Sequence, residues 1–346
     1  MTYRVVGANF DQMHMHTDLE WVRDYPETEL VGLCDEESAT STASLAEAAD
    51  QHGLPESAQY DDLERCLDER DPDIVVGCPK NAEHAGFVER VLARDVHVTV
   101  EKPFAMSLAD ADRMLDADAD SEGRLAVNWP ATWSPVHHEV RRLVQDGAVG
   151  DVLEVGYYGG NAGAPPNDSW FYDAEAGGGS LLDYLGYGAT FSTWFRGGDL
   201  PESASARTYV PDDLEVDVQS TTTARYADGL STLRTSWRMF THPWEHRTHP
   251  TKGYDIAGTD GALTTRDPDA SIRLQTEEGS EVVEPPALEP PEENLIQYVV
   301  DRLDSGDPFQ GPTDPRFCRE AQRLIETAQR SAAGDGEELP LAGEDR

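Results

Sequence analysis

Three side chains in this 346-residue sequence have the type and surroundings for proton-transfer chemistry: Lys102, Asp183 and Tyr187. Lys102 follows the β-branched run Val96-His97-Val98-Thr99-Val100-Glu101 and precedes Pro103. The Val/Thr alternation predicts a buried strand. The proline stops the ladder and restrains Lys102 to extended backbone. An ammonium fixed at a strand end can polarise a carbonyl or hand over a proton. Asp183 and Tyr187 stand four apart in Gly177-Gly-Gly-Ser-Leu-Leu-Asp-Tyr-Leu-Gly-Tyr187. On a helix that spacing puts both on one face, one turn apart. Three glycines permit close approach, and Ser180 is read as the helix cap. A phenol with its ordinary pKa of about 10 needs help to act near neutrality, and a nearby lysine supplies it. The plain structural alternatives are a surface lysine before a loop, a buried satisfied acid and a packing tyrosine.

A second group of residues sits where a dinucleotide would bind. The first strand ends Val6-Gly7-Ala8-Asn9-Phe10-Asp11-Gln12-Met13-His14, where a nucleotide-binding turn reads GxGxxG. Only Gly7 is present. Asn9 takes the second glycine position and Gln12 the third, with Asp11 adding negative charge. Asparagine tolerates unusual φ/ψ, so the turn can keep its shape. The alternative is a strand-turn-helix that holds no nucleotide. Asp35, followed by Glu36 and Glu37, closes the second strand. An acid there accepts ribose hydroxyls and repels a 2′-phosphate, and no arginine is near in sequence, so NAD is favoured over NADP. Asp35 as a helix cap is the alternative. Cys78-Pro79-Lys80-Asn81-Ala82-Glu83-His84 closes another strand, with Asn81 as N-cap and with Asn81 and His84 as weak cofactor contacts. The candidate cofactor-binding residues are thus Gly7, Asn9, Asp11, Gln12, Met13, Asp35, Cys78, Pro79, Asn81, His84, Glu101, Lys102 and Asn128. His14/His16, His137/His138 and His242/His246/His249 lack a carboxylate at a ligand spacing, so no metal is expected. Trp129, Trp133, Trp170 and Trp244 are candidates for stacking on a sugar, or core.

The elements that must position these residues change character along the chain. Up to residue 128, strands at Tyr3–Gly7, Glu29–Asp35, Asp73–Cys78, Val96–Val100 and Leu125–Asn128 alternate with helices. That pattern predicts an α/β, doubly wound parallel sheet. Beyond it, a helix over Val136–Val144 leads into strands at Val152–Tyr158, Ser203–Tyr209, Val216–Tyr226, Leu230–Trp237 and Ile272–Thr276. Consecutive strands without helices between them predict an α+β domain with a mostly antiparallel sheet. One helix interrupts them, Ser180–Phe195, and two follow, Glu293–Leu303 and Pro315–Ser331. The expected domains are 1–127 and 128–346, with the last helix returning to the first.

Composition limits the partners. With 67 acidic and 27 basic residues the net charge is −40, which repels nucleic acid. Acid spread along the whole chain, and only three lysines (Lys80, Lys102, Lys252), fit a protein of high salt. There the Debye length falls to about 3 Å at 1 M. An acidic protein of ordinary salt is the alternative. No apolar run approaches a membrane span, and no signal-peptide pattern opens the chain, so the cytoplasm is expected. The four cysteines form no CxxC pair and read as buried thiols.

Taken in order, Cys78-Pro79…Asn81…His84, Glu101-Lys102-Pro103, Gly177-Gly178-Gly179 with Asp183 and Tyr187, and Gly258-Thr259-Asp260-Gly261 resemble one family. It is that of glucose-fructose oxidoreductase, inositol dehydrogenase and MocA, and the likeness runs over nearly the whole chain. The resemblance implies a Rossmann domain followed by a domain with a large open sheet, whose face joins copies into a homodimer or homotetramer. It implies oxidation of a sugar or polyol hydroxyl, or reduction of its carbonyl, with NAD(P). Lys102 matches the family's catalytic lysine and Asp183 its aspartate. Tyr187 stands where many members carry histidine, as in the branch similar to glucose-fructose oxidoreductase and the dihydrodiol and xylose dehydrogenases. Two features depart from the pattern: the glycine turn, and Trp129-Pro-Ala-Thr-Trp133, where many members place an arginine. Transient use of NAD to cleave a glycosidic bond, or binding without catalysis, are the rival functions on this fold.

The charge reading is testable directly. The melting temperature should climb as KCl is raised from about 0.1 M to about 2 M, because screening relieves self-repulsion. A flat or falling curve would identify an acidic protein of ordinary salt.

Overall fold

The computed structural model describes residues 2–36, 44–160, 169–237, 252–266 and 271–343. Glu37, His242, Trp244, His246 and His249 lie outside the described residues.

The β-branched runs of the first half form one parallel sheet. Its strands are β1 (Tyr3–Phe10), β2 (Thr28–Cys34), β3 (Gln59–Tyr60), β4 (Ile74–Cys78), β5 (His97–Glu101) and β6 (Leu125–Asn128). They pair in the order β3-β2-β1-β4-β5-β6. β4 is buried at every position, as a strand covered on both faces must be. The connections are α1 (His14–Asp24), α2 (Leu45–Gln51), α3 (Leu63–Arg70), α4 (His84–Leu92) and α5 (Leu108–Asp120). Strand order reverses between β1 and β4, and in such sheets ligands bind at the carboxyl ends beside that reversal. α3 is absent from the sequence reading, since Leu-Glu-Arg-Cys-Leu-Asp-Glu-Arg is mostly charged. Its Leu63, Cys66 and Leu67 nevertheless make a buried stripe.

The second sheet contains β7 (Val152–Gly160), β8 (Ser203–Tyr209), β9 (Gln219–Arg225), β10 (Leu230–Ser236), β11 (Gly253–Gly258), β12 (Gly261–Thr265), β13 (Ile272–Thr276), β14 (Gly279–Val283) and β15 (Leu339–Pro340). The order is β14-β13-β12-β11-β7-β10-β9-β8-β15, antiparallel except for the parallel pair β7–β10. Val155, Tyr157, Thr222, Leu233, Tyr254 and Ile256 line the buried face, while Arg225, Arg234, Asp255 and Arg273 alternate with them outward. α6 (Pro135–Gln145), α7 (Ser180–Phe195) and α9 (Pro315–Ala333) complete this unit's main elements. α7 is buried on almost every side and packs on β7 and β10, with Gly188 set against the Tyr157 ring. α9 buries Cys318, Ala321, Ile325 and Ala328 at helical spacing.

Compact units do not follow a single cut. One comprises 1–133 with 288–316, the other 134–287 with 317–346. The segment that rejoins the first unit carries α8 (Leu295–Ser305), whose Ile296, Val299 and Val300 share a core with Leu19 and Val22 of α1. Most of α9 lies in the second unit. The strand expected from Val216 begins instead at Gln219, because Val216 and Val218 turn into a separate small core around Trp237. β11, β12 and β14 are short and glycine-bounded, and Gly258-Thr259-Asp260-Gly261 is the turn of the β11–β12 hairpin. Cys34, Cys66, Cys78 and Cys318 are buried thiols. Among the described residues no helix is long and apolar enough to cross a membrane.

Gly77 in β4 shows how closely α4 lies on the first sheet: a Cβ there would come 2.2 Å from Phe87 Cε1. Gly77→Ala should lower stability by about 1–3 kcal/mol, the usual cost of overpacking a core. Urea denaturation of the two proteins at one KCl concentration measures it.

Candidate active site

In the first unit, Asn9 does the work of the missing glycine. Its φ is +60°, and the β1–β4 register slips between Ala8 and Phe10. Asparagine reaches this left-handed region more readily than other side chains. Gly7 is held to glycine by packing, since a Cβ would lie 2.8 Å from Leu19 Cδ2 and 3.0 Å from Leu33 Cδ2. Past the turn, the Asp11 N–H donates to the Cys78 carbonyl at 3.1 Å. α1 then begins after exposed Met13 with no side chain capping its first N–H groups. An uncapped helix start offers donors and the positive end of the dipole to a phosphate. Asn9 Oδ1, Gln12 Nε2 and His84 Nε2 are buried without a hydrogen-bond partner. Such atoms are rare unless something else satisfies them.

Asp35 is buried at the end of β2, its N–H donating to the Tyr60 carbonyl at 3.0 Å. It caps no helix: the cap of α2 is Ser44. Glu36 is committed elsewhere, paired bidentately with Arg90 at 2.9 Å and 2.9 Å. Arg90 also grips Glu64 at 2.6 Å. An arginine therefore does stand beside these acids, brought by α4 from far along the sequence, with two carboxylates matching its charge. Asn81 is not a helix cap either. It opens a 3₁₀ turn, Asn81–Glu83, and is buried. His84 begins α4; its Nδ1 faces the Phe104 carbonyl at 3.3 Å, and burial pushes the imidazole down to about 4. The ring is neutral, Nδ1 carries the proton donated to the carbonyl, and Nε2 is a bare acceptor. The orphaned atoms, the uncapped helix start and buried Asp35 fit a dinucleotide, while buried Asp11 beside the turn opposes it by charge.

Lys102 is 4% exposed, and its N–H donates to the Asn128 carbonyl at 3.1 Å. The Lys102–Pro103 peptide is cis. Beside it lies a buried polar knot. Asn128 Nδ2 donates to Asp18 at 3.1 Å and 3.2 Å and to Glu101 at 3.3 Å. Trp133 Nε1 donates to Asn128 Oδ1 at 3.1 Å, which fixes the amide's orientation. His14 Nδ1 reaches Glu101 at 3.0 Å, and the Cys78 thiol faces Asp18 at 3.9 Å. Ligand atoms of Asp18, Cys78 and Glu101 lie within 4.8 Å of one another. Burial, then the charge of Glu101, pushes the Asp18 carboxyl well above the usual range. The side chains of Cys78, Glu101 and Asn128, expected at the cofactor, are thus engaged with one another. Asp18 is a partner that sequence spacing gave no means of finding.

In the second unit, Gly177 (φ +86°) and Gly179 (φ +109°) let the start of α7 pass other chain closely. A Cβ on Gly178 would meet the Phe171 carbonyl at 2.2 Å, and one on Gly179 would meet Asp217 Oδ1 at 2.8 Å. Ser180 is not the cap; the N-cap position is Gly179. Asp217, from the segment before β9, takes the capping role. Its carboxylate accepts the Ser180 hydroxyl at 2.6 Å and the Leu181 N–H at 3.0 Å. Asp183 is buried and accepts the Trp237 indole N–H at 3.0 Å. Tyr187 is half-buried, its ring stacked on Phe191 at 6.3 Å and tilted against Tyr184 at 6.2 Å. Its carbonyl accepts the Tyr254 hydroxyl at 3.2 Å. Lys252 Nζ lies 6.0 Å from the Tyr184 ring centre. Neither Asp217 nor Trp237 was singled out from sequence; the three glycines were the available signal that another segment must come close. His137 is boxed by Phe191, Phe195 and Tyr254, and burial pushes it down to about 4, as suits a packing residue. Trp129 is core, and Trp170 stacks on Phe171 at 4.1 Å.

Comparison with known proteins agrees with this division. A family model described as an oxidoreductase family with an NAD-binding Rossmann fold, GFO_IDH_MocA, matches residues 1–129. The GFO/IDH/MocA C-terminal domain matches 137–264. The chain is 32% identical over 177 residues to dTDP-3,4-didehydro-2,6-dideoxy-α-D-glucose 3-reductase of Streptomyces violaceoruber, covering 51% of this chain and 49% of that protein. Across this and two further relatives the share of the relative's own length runs from 29% to 61%. Among solved structures, aldose-aldose oxidoreductase from Caulobacter crescentus, complexed with glycerol, is similar in fold at 19% identity. Its TM-score is 0.84 over 99% of this chain and 100% of that one. An oxidoreductase from Agrobacterium radiobacter in complex with NAD+, L-tartaric acid and magnesium gives 0.79 at 19% identity, over 99% of each chain.

Asp217 yields a pH dependence of known sign. Burial, opposed by the Ser180 hydroxyl and the Leu181 N–H and reinforced by the Asp183 charge, pushes its carboxyl up to about 6. The folded protein therefore holds this proton more tightly than the unfolded chain does. Stability from this group falls as pH rises through the window from about 4 to about 6, then levels. Asp217→Asn removes the titration. The melting temperature of the variant minus that of the wild type should rise across that window and stay level above it, measured by calorimetry at constant KCl.

Proposed function

The chain belongs to the GFO/IDH/MocA oxidoreductase family, and from that premise we propose that it is an NAD-dependent oxidoreductase acting on a sugar or polyol hydroxyl, or on the corresponding carbonyl. The observation that carries the reading is Lys102. It is a lysine 4% exposed at the carboxyl end of β5, in a chain with only three lysines. The carboxyl ends of such a sheet are where substrate chemistry occurs.

NAD, when bound, would supply the hydride acceptor for oxidation and NADH the donor for reduction. Asn9, Gln12 and the uncapped start of α1 are assigned to the pyrophosphate and Asp35 to the adenosine ribose. NAD is preferred because Asp35 opposes a 2′-phosphate, while Arg90 is already matched by Glu36 and Glu64. Lys102 donates to the reacting oxygen and stabilises the negative charge that develops there. Tyr187 as phenolate accepts the hydroxyl proton in oxidation, and as phenol returns it in reduction. Asp183 accepts a hydrogen bond from a neighbouring hydroxyl of the substrate and so fixes which carbon reacts. The outward face of the nine-strand sheet is proposed to pair copies of the chain into a dimer or tetramer. The acidic surface is proposed to be an adaptation to high salt.

Two measurements in KCl of about 2 M test the reading. NAD should raise the melting temperature and NADP should not, through mass action on the folded state. NADH formation is then followed with D-glucose, D-xylose and myo-inositol. Lys102→Ala should lower kcat for whichever is oxidised by about 10³-fold while the NAD shift remains. Wild-type turnover in that variant would remove Lys102 from the mechanism. Absence of a shift with either dinucleotide would replace an enzyme with a binding protein.

A further inference from the structure

We propose that Trp237 is a positioning residue that holds the carboxylate of Asp183 in its working orientation; this rests on the assignment of Asp183 to the substrate. Trp237 follows directly on β10 and is 1% exposed, and Asp183 is 7% exposed. The indole N–H is a donor with no acceptor capacity, and it lies 3.0 Å from Asp183 Oδ2. A hydrogen bond to a carboxylate shielded from water is among the stronger kinds, and it fixes one oxygen and with it the plane in which the other is presented.

The indole is itself immobilised. Its backbone N–H donates to the Val218 carbonyl at 3.0 Å. The rings of Phe171 and Tyr172 meet it edge-on at 6.0 Å and 5.6 Å. Val216 and Val218 complete a small core separate from that of the sheet. The helix that carries Asp183 is tied to the same strand end, since the Ser180 hydroxyl lies 2.6 Å from Asp217 and 3.3 Å from Thr235 of β10. Donor and acceptor therefore sit on two elements locked to each other at one end. The donor comes from 54 residues along the chain, out of a small core that also packs against Tyr184, the neighbour of Asp183. Geometry at this level decides rate, because small misplacements of a substrate-holding group are costly.

Trp237→Phe keeps an aromatic ring and removes the N–H. With NAD and the sugar or polyol of the panel above that the wild type oxidises, kcat should fall about tenfold, with the NAD-induced thermal shift unchanged. Ile272→Ala, a buried position of β13 remote from this core, should lower the melting temperature while kcat stays at the wild-type value. In an Asp183→Ala background, Trp237→Phe should cost nothing further in kcat. A wild-type kcat in Trp237→Phe, or the same loss again in the Asp183→Ala background, overturns the proposal while Asp183 keeps its role. Full activity in Asp183→Ala alone overturns the role of Asp183 and the proposal with it. Should Trp237→Phe not fold, ¹⁵N-tryptophan labelling decides the matter. Of seven indole resonances, the Trp237 one should move on Asp183→Ala with the other six in place, and a resonance that stays put overturns the proposal.

Discussion

The carboxamide of Asn128 is the constraint on which the carboxyl end of the first sheet depends. One NH₂ group serves two buried carboxylates, Asp18 from α1 and Glu101 from β5, and its own oxygen is pinned by Trp133. Cys78 at the end of β4 closes on Asp18 from another side. Three strands therefore end in one polar knot that α1 completes from its middle, and the carbonyl of the same Asn128 accepts the backbone N–H of Lys102. Two carboxylates so close in a dry interior cannot both be charged at low cost, and burial, then the charge of Glu101, pushes the Asp18 carboxyl well above the usual range. Buried networks of this kind are useful only when complete, and a complete one permits little freedom. The lysine inherits that rigidity through its backbone.

The second unit meets the same problem by other means. Asp183 lies in a helix whose start has no cap of its own, because three glycines were spent on close approach. Asp217 supplies the cap from another segment, and Trp237 supplies a donor to the carboxylate. In both units a group assigned to chemistry is held by residues remote in sequence, and in the second unit the holding residues are nearly invisible in the sequence. A Trp following Thr-Ser, or an Asp following Glu-Val, carries no periodic signal.

What could be read from the sequence was what local physics determines. The helix Ser180–Phe195 and the strand Leu125–Asn128 fall at the expected bounds because glycines, a β-branched run and apolar spacing mark them. The parallel-then-antiparallel change followed from where helices intervene. Chemistry-bearing residues whose types were unusual for their place, such as Lys102 before proline, stood out for the same reason. Long-range pairing was not legible. Arg90 reaches Glu36 across 54 residues, α8 returns to α1, and Ser180 loses its capping role to Asp217, a residue that only tertiary packing can name. The turn at Asn9 is intermediate. The motif is broken as written, yet the backbone adopts the left-handed conformation that the missing glycine would have given.

Charge explains why the lysine at β5 has so few companions. With 67 acidic residues to accommodate, a cation is most useful if one side chain can face two carboxylates. Arg90 binds Glu36 and Glu64, Arg113 binds Glu89 and Asp110, Arg142 binds Glu139 and Asp146, and Arg225 binds Glu202 and Glu338. The planar fork of guanidinium suits that arrangement, and a point-like ammonium does not. Exposed pairs of this kind contribute little each to stability. Their effect is to space out like charges that salt alone would have to screen. Lysine then survives where a compact, single-point donor is wanted. Lys80 stands at the turn after β4, Lys102 at the end of β5, and Lys252 beside Tyr184 on the helix that carries Asp183 and Tyr187. The placement of the lysines thus follows from one economy of charge: arginine is assigned to the crowd of acids, and the ammonium stands at the ends of strands and in the neighbourhood of the phenols.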